Sequence, residues 1–243
     1  MRKSAAEIIR ELQQRIARLE REAYTPEEFE NVFDNLAGRL DAIPADIAKA
    51  MAVSGDPKND KLVLKKKDFS ASKLSPSQST IKIRLALNIA LSTLNKSCSQ
   101  KGSEDLDAII SAEGNIMDGH HRWCGTILAY GKGAKVTGYY AKDLRGKQLL
   151  RVLNIATKGF IGKMTGNEGS GNIQDISYNS VKKEMQKIIK DGTPEMGKFS
   201  ISAETVNEIL VNCHGSVEAG IEAISKNADL VNKQFPSWAP ARI

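Results

Sequence analysis

The stretch Ile116-Met117-Asp118-Gly119-His120-His121-Arg122-Trp123 constrains this chain more than any other. Two apolar residues run into Asp-Gly, and imidazole and guanidinium groups then head a helix-forming run from Trp123 to Tyr130. This order predicts a strand that stops at a tight turn and feeds a helix N-terminus. Gly119 supplies the permissive backbone, while the first helical turn offers unpaired N–H groups and the positive end of the helix dipole. Such a place binds anions, phosphate above all. His121 and Arg122 add donors at the same spot.

The neighbouring residues extend this unit. Asp107–Ala112, the turn Glu113-Gly114-Asn115 and Ile116–Asp118 read as two short strands around a turn. The helix from His120 to Tyr130 closes at Gly131, Lys135–Ala141 reads as a further strand, and Lys147–Thr157 as an amphipathic helix. Upstream, Leu62-Val63-Leu64 reads as a short strand followed by the triplet Lys65-Lys66-Lys67. That triplet is either a solvated face or a phosphate-facing patch. Ser75, Pro76 and Gln78 fit the cap, first-turn and capping-box positions of a helix running over Ile81–Asn95.

The flanks have a different character. Ile9, Leu12, Ile16, Leu19 and Ala23 step by three and four, a heptad seam of fewer than three repeats suited to self-association or docking. Thr25, Pro26 and Glu28 open a second helix, and the turn formers of Ser54–Asp60 make a linker. Five glycines fall between Gly159 and Gly171. The Gly162-Lys163 pair there lacks the spacing of a Walker loop. Ser180–Lys190, Ala203–Asn212 and Ser216–Lys233 read as helices, and the tail around Trp238 carries two prolines. The expected division is an amphipathic helix at 1–24, a helical segment and linker at 25–60, and an α+β core at 61–158. A Gly-rich loop at 159–172 and a helical region at 173–243 complete it.

Composition narrows the class of partner. Lys and Arg exceed Asp and Glu by six among 243 residues, a mild basicity compatible with nucleotides or nucleic acid. Cys98, Cys124 and Cys213 are far apart and form no CxxC pair, which implies no disulfide framework and suits a reducing compartment. No apolar run approaches the roughly 18 residues of a membrane span, and Met1–Ala23 lacks a signal-peptide core. The expected location is the cytoplasm, or a particle assembled there, with no membrane partner.

Gly119-His120-His121-Arg122, following a hairpin and opening a helix, resembles the G-x-H-R phosphate-binding motif of the ParB/sulfiredoxin superfamily. Lys73-Leu74-Ser75-Pro76-Ser77-Gln78 resembles the L-x-P-x-Q segment of the same family, in the same order and at a similar separation. The resemblance spans roughly 68–157. It implies a small α/β fold that binds a nucleotide phosphate at this helix N-terminus; with the helices read in the flanks, the expected class is a helix-rich α+β fold with a small mixed-sheet core, N-terminal helices and a C-terminal helical extension. It further implies that Gly119, His121 and Arg122 contact the phosphates of ATP or CTP, with Asp118 holding Mg²⁺ or a water. His120 stands where sulfiredoxins carry their nucleophilic cysteine, so sulfinic-acid reduction is not expected. The Arg-rich motif and helix-turn-helix of chromosome-partition proteins are also absent from the sequence.

Three functions follow. The first is an NTP-dependent phosphotransferase or hydrolase, with Asp118, His120 and Glu113 as the candidates for acid–base or metal-assisting work. The second is an assembly protein, such as a virion component, that uses the fold as a scaffold and docks through its N-terminal helix. The third is a nucleic-acid binder or nuclease using Lys65–Lys67, Lys82, Arg84 and the 118–122 site. A zinc site from His120 and Cys124, one helical turn apart, with Asp118, Cys213 or His214 as third ligand, is a weaker alternative.

Overall fold

The computed structural model describes residues 64–142, 144–146, 149–150 and 171–234. Almost all of these lie in one compact unit formed by residues 62–146 and 166–243. The expectations for the heptad helix, the linker, the Gly-rich loop before Gly171 and the Trp238 tail fall outside the described residues.

The fold is mixed α+β. A five-stranded sheet has the order β1-β6-β4-β5-β2. Its strands are β1 (Leu64–Ser70), β2 (Ser75–Pro76), β4 (Glu104–Ser111), β5 (Asn115–Ile116) and β6 (Lys135–Ala141). β1 runs antiparallel to β6, β6 parallel to β4, β4 antiparallel to β5, and β5 parallel to β2. Two short strands, β3 (Thr80–Ile81) and β7 (Gly171–Asn172), pair separately. Helices α1 (Ile83–Lys96) and α2 (His120–Tyr130) cross closely. At that crossing a Cβ on Gly125 would lie 2.8 Å from the Ala86 carbonyl oxygen, so only glycine permits the approach.

Two local expectations are corrected. The lysine triplet lies inside β1, not after it. β1 is an edge strand exposed from Leu64 to Asp68, where lysines oppose edge-to-edge pairing. Lys67 Nζ sits 4.8 Å from the Tyr140 ring centre, and Lys66 pairs with Asp105 at 2.6 Å. Ser75 and Pro76 are likewise not a helix cap. They form β2 beside Asn115-Ile116, where the edge position makes the missing proline N–H harmless. Ser75 N–H donates to Gly114 O (3.0 Å) and Ser77 N–H to Ile116 O (3.1 Å). α1 consequently starts at Ile83, with Lys82 as its N-cap.

The C-terminal helices are α3 (Tyr178–Asp191), α4 (Ala203–His214), α5 (Val217–Lys226) and α6 (Ala228–Asn232). Ser177, Ser202 and Ser216 cap the first three through their side chains. The long helix expected over Ser216–Lys233 breaks at Asn227, whose Nδ2 donates to Leu128 O at 3.0 Å. One apolar cluster joins both halves of the unit, from Leu87, Ile110, Trp123 and Val136 to Met185, Leu210 and Ile224. The C-terminal helices therefore complete the core around α1 and α2.

The cysteine spacing implied no disulfide framework, yet one pair is bonded. Cys98, two residues beyond α1, is bonded to Cys213 in the last turn of α4, with their Cα atoms 4.9 Å apart. Their separation of 115 residues leaves no local spacing to read. Cys124 remains a buried thiol. Among the described residues, no helix is long and apolar enough to cross a membrane.

Candidate anion-binding site

The head of α2 is built by its own hairpin. Ser111 Oγ accepts the Asn115 N–H and donates to Asn115 Oδ1, closing the turn between β4 and β5. Met117 N–H donates to Ile109 O, which holds the chain against β4 until Asp118. Gly119 then takes a left-handed conformation, φ 72°. A Cβ there would lie 2.7 Å from the Leu106 carbonyl oxygen. β4 has a bulge between Asp105 and Ile109, and Asp107 within it has φ 48°. This bulge turns the Leu106 backbone toward Gly119, as bulges beside functional sites often re-aim their neighbours. The bulge was not visible in the sequence.

The two histidines do different work. His120 is 3% exposed and points into the protein. Its Nε2 lies 3.0 Å from Ile116 O, 3.2 Å from Ser77 N and 3.3 Å from Ser77 Oγ. As an acceptor Nε2 takes the Ser77 N–H, and as a donor it gives to Ile116 O, so both neutral tautomers are held. Burial pushes its pKa down to about 4, against the opposing pull of the Asp118 carboxylate. A neutral, enclosed ring is a fastener between the 75–78 segment and α2, not a poised base.

His121 is half-buried, and its Nε2 accepts the Lys82 N–H at 3.0 Å. Lys82 is the N-cap of α1, so this bond ties together the N-termini of two helices. Neither helix is capped by a side chain. Two positive dipole ends thus face one small region, beside Arg122 and the exposed Lys82. Arg122 Nη1 donates to Asp105 O at 3.2 Å. The Asp105 carboxylate takes Lys66 Nζ and the Asp107 N–H, which hold it below its usual range. On the inner side Trp123 is fully buried, and its indole N–H donates to Ala71 O at 2.9 Å.

Asp118 is exposed beside this turn, with Oδ1 accepting the Gly119 N–H at 2.6 Å. Its second oxygen is available as a single oxygen ligand, the type Mg²⁺ accepts when phosphates supply others. Glu113 is not part of the cluster. It sits on the hairpin turn and bonds Gly146 N–H (3.0 Å) and Arg145 (3.5 Å). Among the described residues no group of three His, Cys, Asp or Glu is placed to hold a metal. The zinc alternative is not supported, since His120 Nε2 is engaged by Ser77 and Ile116 O and Cys213 is disulfide-bonded.

Gly119, His121, Arg122 and Asp118 are therefore brought to one surface, His120 lies beneath it and Glu113 lies elsewhere. Sequence reasoning missed Lys82 and Ser77 as the residues that join the two motifs. Ser77 lies inside the segment singled out for its spacing, but nothing local pointed it at His120. Comparison with family models, with curated proteins and with solved structures finds no match for this chain.

Proposed function

We propose that this chain binds the phosphates of a nucleotide at the head of α2, as the resemblance to ParB/sulfiredoxin-like domains implies. The observation that carries this reading is the contact between the two motifs. Ser77 meets His120, and the Lys82 N–H meets His121, so the 73–78 segment and the 119–122 turn frame the same surface. Phosphate would lie against the first-turn N–H groups of α2, with Arg122 and Lys82 supplying charge. Asp118 is the carboxylate that would share a Mg²⁺ with the phosphate oxygens; the ion would neutralise charge there.

Binding is better supported than proton transfer by the protein. His120 is buried with its Nε2 held by Ser77 and Ile116 O, so it presents no base at the surface where substrate would lie. Any hydrolysis or transfer would rest on positioning and charge stabilisation, with Asp118 the exposed carboxylate beside the turn. The nucleic-acid reading has less support, because Lys66 is paired with Asp105. Arg84 is occupied by Glu184, Glu195 and the Gly192 carbonyl.

A thermal-shift screen against ATP, CTP and GTP, each with and without Mg²⁺, tests the proposal. At a hundredfold excess over Kd, a true ligand raises the melting temperature by roughly 5–10 °C for a chain of this size. A flat response to all three nucleotides overturns the reading.

A further inference from the structure

We infer that the Cys98–Cys213 bond is a reversible redox clamp that fixes α4 against α1, independent of the nucleotide reading. Cys98 is exposed, and Cys213 is half-buried in the last turn of α4. The bond closes a loop of 115 residues that contains α2, the sheet strands β4–β6 and α3. It is the covalent tie between the segment leaving α1 and the C-terminal helices. Elsewhere these parts meet through packing and through polar contacts such as Asn88 with Thr193 (2.7 Å) and with Phe199 O (3.1 Å).

The reduced state also has a place to go. Cys213 Sγ lies 3.6 Å from Leu94 O, so the released thiol finds an acceptor on α1 without leaving its site. A half-buried thiol with a waiting carbonyl avoids the cost of an unpaired group. The structure therefore accommodates both oxidation states, with the tie present in one and absent in the other.

The interconverting reagent is a dithiol, acting by thiol–disulfide exchange. Its thiolate attacks Cys98 Sγ, the Cys98–Cys213 bond breaks, and Cys213 leaves as a thiolate that takes a proton. The second thiol of the reagent then attacks the mixed disulfide, releasing Cys98 and leaving the reagent as its own disulfide. Two electrons pass to the protein, and the reverse reaction, with a small-molecule disulfide as oxidant, restores the clamp. Cys124 takes no part, because it is buried and burial holds its thiol protonated.

The test uses the full chain. After equilibration with glutathione disulfide, it is denatured without reductant, alkylated and weighed. One alkylated cysteine is expected, and three would overturn the clamp. Hydrogen exchange with and without dithiothreitol then reads its effect. Reduction is expected to speed exchange in residues 206–214 at least tenfold while amides of 124–129 change less. Equal protection of 206–214 in both states overturns the proposal. A Cys98→Ser variant should behave as the reduced wild type and ignore dithiothreitol. Should that variant fold poorly, the wild-type comparison stands alone.

Discussion

His120 provides the most quantitative consequence of this structure. The ring is buried among Ile116 O, Ser77 N and Ser77 Oγ, and its pKa falls to about 4 from an ordinary value of 6.5. Between those values the unfolded chain holds a proton on this ring and the folded chain does not. Stability therefore rises with pH across that window, is fully present above about pH 6.5, and is lost as pH falls toward about 4. The full loss across that window is about 3 kcal/mol. By about pH 5 the linkage relation gives a loss of about 2 kcal/mol. Urea unfolding of the wild type and His120→Gln near pH 7.5, 6 and 5 reads this directly. Glutamine keeps a polar group near the Nε2 position but cannot titrate. Wild type should exceed the variant by about 2 kcal/mol less at about pH 5 than near pH 7.5. Asp105 and the other carboxylates held below their usual range titrate in both proteins, so they cancel in the difference. A difference that stays constant with pH refutes the buried, neutral ring.

Other consequences follow from the same region. Gly119→Ala forces a left-handed alanine and drives its Cβ onto Leu106 O, costing about 2–4 kcal/mol in urea unfolding. A loss below about 0.5 kcal/mol would show that the turn relaxes easily. Trp123→Phe removes the donor to the Ala71 carbonyl in a fully buried site, and should cost about 1–3 kcal/mol with nucleotide affinity changed little. Equal stability would mean that the Leu74 N–H, which also donates to Ala71 O at 3.2 Å, satisfies that carbonyl alone. Reducing the Cys98–Cys213 bond releases a 115-residue loop, for which the chain-entropy relation sets an upper figure of about 5 kcal/mol. Calorimetric melting with and without reductant checks it, and unchanged melting would contradict the cross-link.

The segment from the β4–β5 turn through β6 was legible in the sequence because its boundaries carry local signals, whereas β4 begins at Glu104, ahead of the expected Asp107, and its bulge had none. Gly114 marks the hairpin turn, Gly119 the entry to α2 and Gly131 its exit, and all three take positive φ. The errors arose where a distant partner decides the structure. Ser75-Pro76 satisfies the chemistry of a helix cap, but pairing with Asn115-Ile116 forty residues away makes it a strand. The break at Asn227 has its cause on α2, at Leu128 O. Adjacent histidines at a helix head look alike in sequence, and only the packing of the 75–78 segment sends His120 inward and leaves His121 at the surface. The disulfide was invisible for the same reason, since Cys98 and Cys213 meet only when α4 docks on α1. The site residues were thus readable as a cluster, while their division of labour was not.

The central claim is that the head of α2, joined to α1 through His121 and Lys82, binds nucleotide phosphate. Titration calorimetry of ATP and CTP with Mg²⁺ into wild type and Arg122→Ala tests it most directly. Wild type should bind at least one of them, and the variant should lose about tenfold to a hundredfold in affinity, the worth of one charge-assisted contact. Absence of binding to the wild type, or equal affinity in the variant, would contradict the claim.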